Sequence, residues 1–220
     1  MEAEKSGNMQ PISNVAFSFA IVGLASEEIF GSLCKIVPNL IKEGNQQDII
    51  NICYAFAVLD LAKKYGKEFR LLWAKAISSD PKVLPKEARC QLFQAYAFVT
   101  ASGVTSLEAP ALLETDEIAL QANVRESRAQ NEVSRILDDL GFNHLAEGSP
   151  VTKENMFPLP GGMLAIDMAY RKQMIAIEFD GPSHFLREVG SGKVLEVENG
   201  ATKAKRRFLE RLGWKVVNIR

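Results

Sequence analysis

Three carboxylates and a histidine near the end of the chain have residue types and spacing suited to chemistry: Asp167, Glu178, Asp180 and His184. Carboxylates gathered on one surface repel one another unless a cation compensates them. Hard oxygen ligands of this kind suit magnesium or manganese, and such ions promote phosphodiester cleavage. Asp167, Glu178 and Asp180 are therefore the candidate metal ligands. The same three with His184 are the candidate catalytic residues. His184 follows Gly181-Pro182-Ser183, a loop at a strand end, where functional groups concentrate.

These side chains need a scaffold that brings them together. Leu164–Tyr170 and Met174–Phe179 alternate or run apolar, as strands do. Pairing Tyr170 with Gln173 sets Asp167 opposite Ala176 and Ala165 opposite Glu178. A four-residue loop preserves this register and is preferred, because Arg171-Lys172 makes a poor primed turn. Asp167, Glu178 and Asp180 then share one face, while Ile166, Met168, Ile175, Ile177 and Phe179 form an apolar core on the other. A helix over Ala201–Leu212 follows, with Ala201, Ala204, Phe208 and Leu212 as its apolar stripe, before a last strand over Trp214–Ile219. Its cations, Lys203, Lys205, Arg206 and Arg207, are candidates to grip nucleic-acid phosphates, with Trp214 to stack a base. Two readings of the carboxylates stand side by side. They hold a metal ion, or Lys203, Arg206 or Arg207 neutralises them. For Trp214 taken alone, burial in the core is the favoured reading.

The first half of the chain reads as helices over Ile12–Leu24, Ile29–Ile41, Ile49–Ala62 and Phe69–Ile77. Gly44 and Gly66 are expected helix stops, and Pro85 lies near the next start. Asn14-Val15-Ala16-Phe17-Ser18-Phe19-Ala20 returns 37 residues later as Asn51-Ile52-Cys53-Tyr54-Ala55-Phe56-Ala57. A looser echo, Gln91 to Ala97, follows 40 later. A period near 37 to 40 with two helices per unit marks an α-solenoid. A polar helix over Glu117–Leu140, stopped by Gly141, links the halves.

The net charge of −1 conceals an asymmetry. Residues 1–150 carry 14 basic against 19 acidic side chains, and residues 151–220 carry 12 against 8. The last twenty residues carry 7 against 1, so a polyanion footprint belongs near the C-terminus. Cys34, Cys53 and Cys90 are too widely spaced for a zinc site and read as buried reduced thiols. No apolar run reaches the length of roughly 18 to 20 residues that spanning a membrane requires, so no membrane partner is expected. The N-terminus lacks the Arg-rich, acid-poor character of a transit peptide.

Two blocks carry a resemblance. Ile166-Asp167, followed by Ile175-Ala-Ile-Glu178-Phe-Asp180-Gly-Pro-Ser-His184-Phe-Leu186, looks like the signature of RAP domains. Gly200-Ala-Thr-Lys203-Ala-Lys205-Arg206-Arg207-Phe-Leu-Glu-Arg-Leu-Gly213-Trp214-Lys-Val-Val217 resembles the second half of that family. The resemblance spans roughly residues 125–220. The repeats are similar to the octotricopeptide-like helices that precede RAP domains in organellar RNA-binding proteins. The resemblance implies a restriction-endonuclease-like α/β domain of the PD-(D/E)xK and very-short-patch-repair kind. It also implies RNA as partner and location in a mitochondrion or chloroplast. Family members commonly continue with aromatic residues beyond the position of Arg220. One departure matters: a working nuclease of this fold has Glu-x-Lys, and this chain has Glu178-Phe-Asp180.

The expected fold is thus α plus α/β. A disordered stretch over 1–10 precedes helical repeats over 11–103, a connector over 104–116 and a RAP-like domain over 117–220. The expected function is RNA binding in organellar RNA metabolism (transcript stability, processing or translation), with no cofactor needed for binding. The alternatives are a ribonuclease using magnesium or manganese, and a structural component contacting RNA among the proteins of an organellar ribosome or other ribonucleoprotein.

Overall fold

The computed structural model describes residues 9–111, 128–142, 144–148 and 164–220. The chain divides into two compact units, Met1–Ala111 with Asn199–Ala204 and Leu112–Glu198 with Lys205–Arg220.

The first unit is helical: α1 (Gln10–Val22), α2 (Glu27–Lys35), α3 (Val37–Glu43), α4 (Gln46–Val58), α5 (Gly66–Ile77) and α6 (Lys86–Ala101). Most of the stretch expected to be disordered, residues 1–8, lies outside the described ones. The repeated heptapeptide falls on α1, α4 and α6, and α4 lies between the other two. The equivalence extends to the helix ends. Gly23 closes α1 with φ +70°, and Asp60, 37 residues on, closes α4 with φ +60°. Leu24 N–H donates to the Phe19 carbonyl as Leu61 N–H does to Phe56. Asp is among the few residues that tolerate this left-handed conformation, so a glycine was not required there.

Ring contacts cross the stack from unit to unit. Phe19 meets Phe30 at 6.4 Å between centroids, Phe30 meets Phe56 at 5.2 Å, and Phe56 meets Phe69 at 6.2 Å. Phe69 stacks on Trp73, and Trp73 on Tyr96. The recurring aromatic (Phe19, Phe56, Tyr96) is thus a rung of a continuous apolar file. A buried polar pair adds register: the Ser13 hydroxyl donates to Oδ1 of Asp48 at 2.7 Å. Asp48 also completes a capping box with Asn45, so its burial leaves no unpaired carboxylate.

Three expectations are corrected. The helix expected over Ile29–Ile41 is two helices broken at Ile36, because Pro38 lacks an amide proton and its ring clashes with a continuing turn. Gly66 opens α5 instead of ending a helix; Asp60 already supplies the stop. Of the three thiols only Cys53 is buried, Cys34 and Cys90 being half-buried; all three are free. Burial pushes the Cys53 thiol pKa up, and burial followed by the nearby Glu68 raises that of Cys34 to about 11.

The second unit holds α7 (Arg128–Asp139) and a four-stranded sheet of β1 (Leu145–Gly148), β2 (Ile166–Tyr170), β3 (Ile175–Phe179) and β6 (Lys215–Ile219), in that order. The first three pair antiparallel, and β6 joins β3 in parallel. Between β3 and β6 run a small hairpin, β4 (Phe185–Arg187) with β5 (Val194–Glu198), and α8 (Gly200–Arg211). The expected linking helix over Glu117–Leu140 is described only from Arg128, its first eleven residues lying outside the described ones. The end of the connector, from Leu112, lies outside them as well. Among the described residues, no helix is long and apolar enough to cross a membrane.

The β2–β3 register differs from the expected one by two residues. Tyr170 pairs with Ile175, Ala169 with Ala176 and Met168 with Ile177. The loop has the four residues anticipated, a 3-10 turn over Arg171–Gln173 and Met174 at φ +53°. It begins one residue later than expected, and a shift of two keeps every side chain on its face.

Candidate functional site

Continuing the observed register places Asp167 opposite Glu178, and Glu178 pairs across β6 with Asn218. The carboxylates therefore gather on one face, as expected, but closer than the expected pairing would have set them. Each is then engaged by a different neighbour. Asp167 Oδ2 accepts the Phe179 amide at 2.8 Å. Asp180 accepts the Asn218 side-chain amide at 2.5 Å on one oxygen, and His184 Nδ1 lies 3.2 Å from the other. Glu178 Oε2 receives Lys205 Nζ at 2.5 Å.

Lys205 reaches the sheet because it sits three and four residues before Phe208 and Leu209, on the buried side of α8. That side consists of Ala204, Phe208 and Leu209; Ala201, expected in the stripe, is exposed, and Leu212 is only half-buried. Asn199 caps the helix, its side chain accepting the Thr202 amide at 2.9 Å, which fixes where the first turn starts. The cation bonded to Glu178 is therefore Lys205, in place of the expected Lys203, Arg206 or Arg207. Its spacing to Phe208 and Leu209 is the signal that could have singled it out.

Glu178 is 4% exposed, and its second oxygen, Oε1, is buried without a hydrogen-bond partner among the described residues. Burial raises its pKa to about 7; the Lys205 ammonium opposes the rise, and the Asp167 and Asp180 charges add to it. A carboxyl poised near neutrality beside an ammonium can hold or release a proton in the physiological range. It is a poorer metal ligand, since a metal competes with both the proton and Lys205. Among the described residues, no group of three or more His, Cys, Asp and Glu side chains is arranged to hold a metal ion. The expected metal set of Asp167, Glu178 and Asp180 is thus together in space and bound to protein donors.

The expected RNA-binding residues divide. Arg206 pairs with Glu198, which Arg220 also approaches at 3.7 Å. Lys203 and Arg207 are half-exposed on α8. Trp214 is 3% exposed, a core residue beside Phe208 and Leu209 in the buried set, so the expectation that it stacks a base is corrected. Sequence reasoning passed over Arg171, Lys172 and Lys215, all exposed. They meet at one end of the sheet, where the Lys215 amide donates to the Met174 carbonyl at 2.7 Å. Their position on a turn and at a strand start, joined only by the parallel β3–β6 pairing, hid the grouping.

Half of the sheet, two of the three carboxylates and the basic helix lie within one stretch that resembles a known family. Residues 177–220 match the RAP domain. The match runs from the middle of β3 through the β4–β5 hairpin and α8 to the end of the chain, and includes Glu178, Asp180, His184 and Lys205. It is shorter than the span of resemblance expected from the sequence, and Asp167 on β2 precedes it. RAP domains are commonly associated with RNA binding.

Proposed function

We propose that the protein binds RNA through its RAP-matching region and serves organellar RNA metabolism, in transcript stability, processing or translation. The observation that carries this reading is the coincidence of the RAP match with the positively charged end of the chain. Polyanion binding draws most of its strength from phosphate contacts and counterion release. Lys203 and Arg207 on α8 and the Arg171, Lys172 and Lys215 group offer two surfaces for such contacts. Binding needs no cofactor, RNA is the partner, and a mitochondrion or chloroplast is the expected location. Contact with ribosomal or other ribonucleoprotein components is compatible with this role.

The test is RNA affinity measured against salt concentration for three full-length proteins. They are the wild type, a Lys203→Ala, Arg207→Ala variant, and an Arg171→Ala, Lys172→Ala, Lys215→Ala variant. Each lost phosphate contact should flatten the log–log salt slope by roughly 0.7 to 0.9. Unchanged affinity and slope in both folded variants would place the RNA surface off this region.

One observation favours a ribonuclease reading. The lysine missing from Glu178-Phe-Asp180 is supplied in space by Lys205, next to the same glutamate. Against it, the carboxylates that would hold magnesium or manganese already accept bonds from protein donors. Binding remains the better-supported function.

A further inference from the structure

None of the residues of α7 is buried. Ala129, Val133, Ile136 and Leu140 recur along it at steps of four, three and four, which makes one apolar stripe. Leu140 stays on the helical path, its amide donating to the Ile136 carbonyl at 3.1 Å. Ile136 is 47% exposed and Leu140 77%, and Leu145 at the start of β1 adds a third apolar side chain at 51%. A different flank is covered. Gln130, Ser134 and Leu137 are half-buried, and Ser134 Oγ lies 2.7 Å from His144 Nε2, next to β1. A helix with water on its outer side ordinarily carries polar residues there.

A charged row borders the stripe. Arg128, Glu132, Arg135 and Asp139 repeat the same spacing one residue earlier, and all four are exposed. Their order is basic, acidic, basic, acidic. This spacing permits ion pairs within a helix, yet none of the four forms one among the described residues. Two copies of α7 laid antiparallel, stripe against stripe, set Arg128 opposite Asp139 and Glu132 opposite Arg135. Two-fold symmetry repeats each pair. Laid parallel, the same helices would set like charges together. The row also argues against other occupants. Anionic lipid and nucleic acid both ask for a basic polar face, and this one is balanced.

We propose that α7 is a self-association surface whose occupant is α7 of a second copy of this chain, bound antiparallel. Val133 of one copy packs on Ile136 of the other, and Ala129 on Leu140. The proposal goes beyond RNA binding and does not depend on it.

The test is sedimentation equilibrium of the full chain up to about 0.3 mM. High concentration is needed because the 12 residues of α7 span only about 18 Å, and so small a contact is weak. The wild type should show a monomer–dimer equilibrium. An Arg128→Glu, Arg135→Glu variant makes the row wholly acidic, and a Glu132→Arg, Asp139→Arg variant makes it wholly basic. Each alone should self-associate about tenfold or more weakly, and an equimolar mixture should recover association as a one-to-one pair. Leu140→Asp should weaken the wild-type pair and remove that recovery. Every substituted position is exposed, so the fold should persist, which circular dichroism of each variant checks. A wild type that stays monomeric overturns the proposal. So does a dimer that the acidic or the basic variant retains, a mixture that fails to associate, or a pair that Leu140→Asp leaves intact.

Discussion

Lys205 Nζ and Glu178 Oε2 are 2.5 Å apart, joining α8 to β3 across the interior of the second unit. Removing one member of such a pair leaves a buried charge without compensation, which typically costs about 3 to 5 kcal/mol. Glu178 has an escape, because its pKa already lies at about 7 and rises further once the ammonium is gone. Lys205→Met should therefore destabilise the protein by about 2 to 3 kcal/mol at pH 8, and by distinctly less at pH 5.5, where the carboxyl is neutral. Urea unfolding at the two pH values checks this. Equal losses at both would mean that packing of the lysine stem, and not charge, is what the mutation removes.

Glu178 itself predicts a pH trend. Its folded pKa of about 7 lies above the ordinary value of 4.5, so the folded state binds the proton more tightly than the unfolded chain. Stability linked to this group is present in full below pH 4.5 and is lost as pH rises through 7. A tenfold difference in proton affinity is worth about 1.4 kcal/mol, so the loss amounts to as much as about 3 kcal/mol. Glu178→Gln should flatten the stability profile between pH 5 and 7.5. A wild-type profile that rises across this range by an amount the substitution removes would show that folding lowers the Glu178 pKa instead.

In the helical unit, Phe56 is fully buried between Phe30 and Phe69, and its counterpart Phe19 is half-buried. Phe56→Ala should cost about 3 to 5 kcal/mol, and Phe19→Ala roughly 1 to 2, since part of its ring is wet already. Chemical denaturation of the two variants distinguishes them. Equal costs would mean that Phe19 is as fully covered in solution as Phe56.

Cleavage is expected to be weak or absent. A metal entering the cluster competes with the Phe179 amide at Asp167, the Asn218 amide at Asp180 and the Lys205 ammonium at Glu178. Purified protein incubated with labelled single-stranded RNA and magnesium or manganese should leave the RNA intact. Metal-dependent cleavage that disappears in an Asp167→Asn, Glu178→Gln double variant would promote the ribonuclease reading over simple binding.

The periodic parts of this protein were legible in its residue order. A helix or strand with one apolar face announces itself through spacing alone, and the repeat announces itself through self-similarity. That is why α1, α4, α6, β2, β3 and β6 fall where the pattern of Asn14, Asn51, Gln91 and the C-terminal strands placed them, and why the carboxylates share a face. The β4–β5 hairpin was missed because β4 has only three residues and Glu196 and Glu198 interrupt the apolar run of β5. Spacing along the chain could not decide distances between elements. The two-residue slip of the β2–β3 register turned on where a four-residue loop begins, and the face pattern is identical either way. Which cation meets Glu178 depended on the rotation of α8 against the sheet. Burial of Phe208 and Leu209 turned Lys205 inward, and the same rotation left Lys203 and Arg207 half-exposed. Residue order thus determined which elements form and which of their faces are apolar. Packing, which is set by contacts between residues far apart in the chain, decided which charges are spent inside the protein and which stay at its surface.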